Sequence, residues 1–586
     1  MIDRQTILPE PDLPGTSDLV AGGKRLAKDW QVEPGAFLKQ AGCTSEADYK
    51  RAAVADGRIM QHAQIGYRDL DKSCWAWREI HETCAGRGVT VDRFGICLDW
   101  SMGVPRGERD AAQLGTGLIL KTPEDFVRLA DQAPVAPHFG DFVMGFPAAI
   151  ENTQAALAAG ATSIGNLGQY FTFRLPGHDD DVAATEATVT ALALCAAQPV
   201  EVLVHSNLDD GFAGLFMDLS SALGAVLLEK HIVEDLIDAR ASHCWGHHFT
   251  DPKRRLAFHL ALAQVSDTPG TMIYGNTVAY QGSNGENYAS LASYLLTDIA
   301  GQRLQPTGHA INPVPVRENQ RIPDIDEVIE AQLFAARLSE HADGYAGLIN
   351  PQEADELADK IVKGGRRFFD NVMQGLGEAG IDTQNAFEML LAIRRIGGKQ
   401  LEQLYGAGNQ DDDAPRGRQP IVQSSLVEDL NELAGRHASR IGEADSRRIA
   451  QARPRVMVAT SDVHEHGKLA LEQVLRTIGA EPLDGGVSVD ADVLARDAVN
   501  ADAEAIMVST YNGIALDYYR LLKTALAAQG SAIPVLIGGR TNQIPHGSNT
   551  SLPVDVTSEL MAEGAIVCKT IEDAVPALLT IMESKQ

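Results

Sequence analysis

The chain has 586 residues, enough for roughly three or four units of ordinary domain size, with 44% hydrophobic and 22% charged residues. A formal net charge of −29 argues against nucleic acid and anionic membranes as partners, because phosphate-rich surfaces are held by clustered Lys and Arg. It leaves room for an anionic small substrate, since a few buried arginines can create a local positive site. The N-terminal MIDRQTILPEPDLPG lacks an apolar core of signal-peptide type, and no apolar run approaches the roughly 20 residues of a membrane span. The seven cysteines are scattered without a CxxC pair, which fits reduced thiols in a cytoplasm. A cytoplasmic homodimer is expected.

In chain order, residues 1–54 read as an N-terminal extension with little periodicity. From 55 to 350, strand-like runs such as ATSIGN, VEVLVHSN and TMIYGN alternate with helical stretches such as PEDFVRLADQA and SLASYLLTDIAG. Such alternation predicts an α/β fold, a (β/α)8 barrel with ligand contacts just after the strands. A doubly wound sheet would give a similar alternation. Residues 351–450 form a helical connector that includes the linker-like GAGNQDDDAPRGRQP. Residues 451–586 read as strands VMVATSD, ADAEAIMVST, PVLIGG and GAIVCKT with helices between. That pattern predicts a five-stranded, flavodoxin-like (Rossmann-type) sheet, with ligand at the strand ends near Asp462, Ser509 and Gly538.

The first of these ends carries Asp462-Val463-His464-Glu465-His466-Gly467. A neutral imidazole is a good transition-metal ligand, and a carboxylate two residues earlier can fix its tautomer. Gly467 lets another group approach the backbone. The spacing resembles the DxHxxG signature of B12-binding domains in mutases and methionine synthases. The resemblance implies that His464 ligates cobalt in place of the cofactor's own dimethylbenzimidazole, with Asp462 behind it. Ser509 resembles the Ser of the same family's SxL motif, although Tyr511 stands where that motif has Leu. Gly538-Gly539 resembles the family's GG, which leaves room for the nucleotide tail.

Two stretches of the preceding region, Asn166-Leu167-Gly168-Gln169-Tyr170-Phe171-Thr172-Phe173-Arg174-Leu175-Pro176 and His309-Ala310-Ile311-Asn312-Pro313-Val314-Pro315-Val316-Arg317-Glu318, resemble the catalytic barrel of glutamate mutase. Fusion of the two parts in one chain resembles 2-methyleneglutarate mutase. The resemblance implies an adenosylcobalamin-dependent carbon-skeleton mutase of a small, dicarboxylic acid. Arg68, Arg106 and Arg174 are its candidate carboxylate partners, and Arg317 and Glu318 would lie near the adenosyl group or the substrate. Leu167 replaces the family's Glu for a substrate ammonium, and Phe173 replaces a Tyr, so a substrate without an amino group is expected. Alternatives are a corrinoid methyltransferase and a non-enzymatic B12-binding protein. His243, His247 and His248 read as histidines at the strand ends rather than a zinc site. Lys468, directly after Gly467, is misplaced for a Schiff-base lysine.

Overall fold

A computed structural model describes the chain except residues 1, 113–114, 116, 174, 208–215, 281, 319–320, 412–413, 415, 463–464, 512, 546–552 and 585–586. Two compact units are present: Met1–Ala111, Gly117–Thr172 and Asp180–Leu426 make the first, and Ala112–Thr116, Phe173–Asp179 and Val427–Gln586 the second. The helical stretch 351–450 divides between them near Leu426. Among the described residues no helix is long and apolar enough to cross a membrane.

In the first unit the strands are β1 (His62–Ile65), β2 (Arg93–Ile96), β3 (Ala136–His138), β4 (Ser163–Ile164), β5 (Leu203–Asn207), β6 (Arg240–Cys244), β7 (Met272–Ile273) and β8 (Ala310–Ile311). All pairings among them are parallel: β1-β2-β3, β4-β5-β6 and β7-β8 form ladders. Parallel bridges Phe139–Ile164, Trp245–Ile273 and Gln61–Ile311 join consecutive ladders. Helices separate the strands, and their starts are written locally. Asp69 caps the helix Leu70–Gly86, Thr122 and Asp125 make a capping box before Pro123–Ala130, and Ser283 and Glu286 do so before Asn284–Leu304.

The N-terminal stretch carries structure that its weak periodicity did not announce. The helix Glu46–Ala55 buries Lys50, whose Nζ donates to the carbonyls of Thr271 and Gly308 at 3.0 and 2.9 Å, where β7 and β8 begin. Glu46 Oε1 accepts from Arg93 Nε at 2.7 Å at the start of β2. Burial pulls the Lys50 ammonium down to about 7.

Helix Ala386–Tyr405 anchors the start of Leu219–Lys230 through Glu402. Its carboxylate accepts from the backbone N–H groups of Met217 and Asp218 at 3.0 and 2.9 Å, and burial pushes it up to about 7. A carboxyl raised in the folded state contributes most below its unfolded value near 4.5, and that contribution is lost as pH rises through about 7. The first unit should therefore lose up to about 3 kcal/mol between pH 5 and 8.5 from this group. Glu402→Gln should flatten that dependence in urea unfolding followed by tryptophan fluorescence; an unchanged slope would contradict the assignment.

In the second unit the strands are β9 (Arg455–Thr460), β10 (Glu481–Asp484), β11 (Ala505–Thr510), β12 (Val535–Gly539), the paired β13 (Asn542–Gln543) and β14 (Val554–Asp555), and β15 (Ile566–Cys568). The main sheet runs β10-β9-β11-β12-β15, all parallel. That is the 2-1-3-4-5 order of a doubly wound sheet, whose switch point lies between its first and third strands. Apolar clusters cover both faces, one around Ile506, Val508 and Leu522, the other around Val458, Met507 and Leu578. The sequence reading named four of the five strands. β10 escaped it because Glu-Pro-Leu-Asp is a half-exposed edge without apolar alternation.

Candidate functional site

The ends of β9, β11 and β12 converge on small residues. Register places Ser509 opposite both Thr460 and Gly538. Gly467 lies in the first turn of the helix His466–Thr477, and a Cβ there would stand 2.6 Å from Ser509 Oγ. A Cβ on Gly538 would meet the Cys568 carbonyl at 3.2 Å. Gly539 has φ +89° and would drive a Cβ to 2.4 Å from the Thr510 carbonyl, so no other residue fits without strain. Gly467, Ser509 and Gly538 therefore form a cradle that side chains would fill.

Asp462 is buried and binds across the switch point: its Oδ2 accepts from the Tyr511 N–H at 2.8 Å. Thr460 Oγ1 donates to the Asp462 carbonyl and accepts from Ser488 N–H. Asp462 thus fixes the end of β9 against the end of β11. His464 lies outside the described residues. Tyr511 is half-buried, and the Arg540 guanidinium stacks 4.2 Å above its ring. Sequence reasoning passed over Arg540, although its place directly after Gly538-Gly539 marks it. Lys468 is fully buried between Glu472 Oε1 at 2.6 Å and Asp484 Oδ1 at 2.8 Å. These carboxylates hold it protonated against the pull of burial, which suits a structural cation and not a Schiff-base amine.

In the first unit, Arg68 follows β1 and is half-buried; Arg174, in the Phe173–Asp179 segment of the second unit, lies outside the described residues. Arg106 follows β2; its backbone N–H donates to Glu151, and its buried Nε has no partner among the described residues. Neighbouring Arg109 instead spends its guanidinium on the carbonyls of Ser101, Met102, Val104 and Leu120. Arg317 is nearly half exposed, 3.7 Å from Glu327. Glu318 is half-buried after β8. Leu167 is fully buried, and its N–H donates to the His205 carbonyl at 2.8 Å; Phe173, at the start of the second unit's Phe173–Asp179 segment, is buried as well. His243 is committed to buried Glu229 at 2.9 Å, while His247 bonds Thr277 and stacks on His248.

Three histidines that sequence reasoning did not single out occupy the strands themselves. His62, His138 and His205 sit on β1, β3 and β5, each 3% exposed or less. The His62 and His138 rings are 6.0 Å apart, and those of His138 and His205 are 4.3 Å apart. Burial, together with the Arg93 charge, holds all three well below the usual imidazole range, so they are neutral. Glycines make room for the rings: Cβ atoms at Gly95, Gly140 and Gly165 would come within 2.8 Å of His62, His138 and His205 respectively.

His62 is fully used. Arg93 Nη1 lies 3.3 Å from Nδ1, which makes that nitrogen the acceptor, so Nε2 donates to Gln64 Oε1 at 3.0 Å. Gln64 Nε2 in turn donates to Cys97 Sγ at 3.3 Å. Burial, with the charges of Asp141 and Glu318, pushes the Cys97 thiol up to about 12. By contrast, the rings of His138 and His205 make no hydrogen bond to any described residue, and both Nδ1 atoms are buried. Asn166 accepts from Asn207 N–H through Oδ1 at 2.8 Å, and its Nδ2 is buried without a partner among the described residues. Each such group left empty costs about 1–3 kcal/mol. Tertiary packing alone brings these residues together, and a His inside each of the runs QHAQI, APHFG and VLVHSN was the only signal.

No family model matches the chain. No curated protein is similar to it. Among solved structures, a cobalamin-binding protein from Desulfitobacterium hafniense DCB-2 is similar at a TM-score of 0.20 and 18% identity, over 37% of this chain and 95% of that one. A likeness at that TM-score carries no weight for the fold or the function of this chain.

Proposed function

We propose that the chain is an adenosylcobalamin-dependent radical mutase that rearranges the carbon skeleton of a small, dicarboxylic acid. The observation that carries the cofactor reading is the cradle of Gly467, Ser509 and Gly538 at the strand ends of a 2-1-3-4-5 sheet. The fit is chemical as well as steric. Small residues open a slot for a nucleotide tail, Ser509 supplies a hydroxyl, and Asp462 lies at the switch point two residues before His464 in sequence, the imidazole proposed as the metal ligand. When bound, adenosylcobalamin supplies a carbon radical by homolysis of its cobalt–carbon bond.

The first unit is read as the substrate seat. Its eight parallel strands pair in a cycle that returns from β8 to β1, which supports a (β/α)8 barrel with ligand at the C-terminal ends of the strands. Within this unit Arg68 and Arg106 are the proposed carboxylate partners, because a guanidinium fork matches a carboxylate bidentately. Arg106, whose buried Nε has no partner among the described residues, is the best supported. Leu167 offers no acceptor to an ammonium.

The test incubates the full chain and adenosylcobalamin with a panel of small carboxylic acids, and scores 5′-deoxyadenosine and rearranged product. Product from a dicarboxylic acid without an amino group is expected. Arg106→Lys should raise KM by about tenfold or more while leaving cobalamin affinity unchanged. Methyl transfer without 5′-deoxyadenosine would replace the mutase reading by a corrinoid methyltransferase.

A further inference from the structure

A barrel interior is ordinarily filled by Val, Ile and Leu, yet three alternate strands here contribute imidazoles. His62 has a structural explanation, since Arg93 and Gln64 occupy both its nitrogens. His138 and His205 have none: side by side at 4.3 Å, each presents one N–H donor and one bare acceptor nitrogen with no described partner. The Asn166 amide, oriented by its bond from Asn207, adds unspent N–H donors. His138 ends β3, Asn166 follows β4 by two residues, and His205 is the middle residue of β5, so the three stand inside the strand layer with Asn166 toward the C-terminal ends, where a parallel barrel binds its ligand.

The charges around the pair define what it can take. Burial keeps both rings neutral, and Arg93 and Lys50 act on both as nearby cations. An ammonium would meet these cations with no carboxylate against the rings. A carboxylate would need a cation with donors to spare, but Arg93 spends its donors on Glu46, His62 and Ser163, and Lys50 donates to the Thr271 and Gly308 carbonyls. Burying either ion there is unfavourable, whereas an uncharged oxygen can both accept from N–H and, as a hydroxyl, donate to a bare nitrogen.

We propose that His138, His205 and Asn166 receive an uncharged oxygen of the substrate acid, a hydroxyl, carbonyl or amide group. The protein then selects acids bearing such a group over bare dicarboxylic acids and over amino acids. This rests on the reading of the first unit as the seat of a small carboxylic acid.

Isothermal titration of the full chain without cofactor tests it, with glutarate, 2-hydroxyglutarate, 2-oxoglutarate and glutamate as probes. The hydroxy or oxo acid should bind about tenfold or more tighter than glutarate, which is about 1.4 kcal/mol, and glutamate should bind most weakly. His205→Phe and His138→Phe keep the ring volume, and each should bring the favoured acid down to the glutarate level. Asn166→Leu serves if a histidine variant loses its native circular dichroism. Equal affinities for all four acids would mean that the pair holds only water and would overturn the proposal. A preference that survives every folded variant would overturn it too. Failure of all four acids to bind would refute the carboxylic-acid seat itself, a result distinct from binding without preference.

Discussion

Gly467→Val should lower cobalamin affinity by on the order of a hundredfold, about 3 kcal/mol, with the second unit still folded. The reason is steric. A Cβ at Gly467 would stand 2.6 Å from Ser509 Oγ, and the two γ-methyl groups of Val would fill the rest of the slot. Gly467→Ala separates the ligand effect from folding. Gly467 lies in the first turn of a helix and has no left-handed φ. Alanine should therefore leave the empty protein equal or up to about 1 kcal/mol more stable. Its affinity should still fall, because the Ser509 hydroxyl must turn away. Absorbance titration gives the affinities and thermal unfolding the stabilities. Full-strength binding by the valine variant would show that the cradle is not the cofactor slot.

Arg255→Ala should destabilise the first unit by about 3–5 kcal/mol, the cost of stranding a buried ion. Arg255 grips Asp298 with Nε and Nη2 at 2.6 and 2.8 Å, and donates to the carbonyls of Gly246 and Tyr274. It lies 5.4 Å from the Trp245 ring and 5.2 Å from the Tyr294 ring. One side chain thus joins the ends of β6 and β7 to the helix Asn284–Leu304. Burial pushes the Asp298 carboxyl up to about 6 even with Arg255 present. Without the guanidinium that value rises further. A raised carboxyl loses its contribution as pH rises, so the loss should be larger at pH 8 than at pH 5. Denaturant midpoints read through tryptophan fluorescence measure both effects. A loss below about 1 kcal/mol, or one that shrinks as pH rises, would contradict this assignment.

What the sequence made legible follows from how local each signal is. Gly467, Ser509 and Gly538-Gly539 were legible through their resemblance to known motifs, and a close approach at Gly467 and a left-handed φ at Gly539 add a local reason for glycine at those two positions. The doubly wound unit was legible because strands such as AIMVST and VLIGG are unbroken apolar runs closed by Gly, Ser or Thr. Glu46 and Lys50 were not legible: on the chain they look like charges on a solvated helix, and only tertiary packing turns them inward. His138 and His205 were hidden for a related reason, since a histidine inside an apolar run gives no sign of its neighbours on other strands. Arg106 and Arg109 are three residues apart in the stretch VPRGERD, yet only the structure separates a guanidinium spent on four carbonyls from one whose Nε has no partner among the described residues.

The central claim is that the second unit holds cobalamin through a histidine of the protein. Electron paramagnetic resonance of the cob(II)alamin form, on protein labelled with nitrogen-15 at histidine, tests it most directly. Coordination by His464 predicts that each cobalt hyperfine line, split in three by nitrogen-14 in unlabelled protein, is split in two after labelling, and that His464→Ala abolishes the change. A three-line pattern untouched by the label would mean that the cofactor's own benzimidazole stays on cobalt, and would contradict the account.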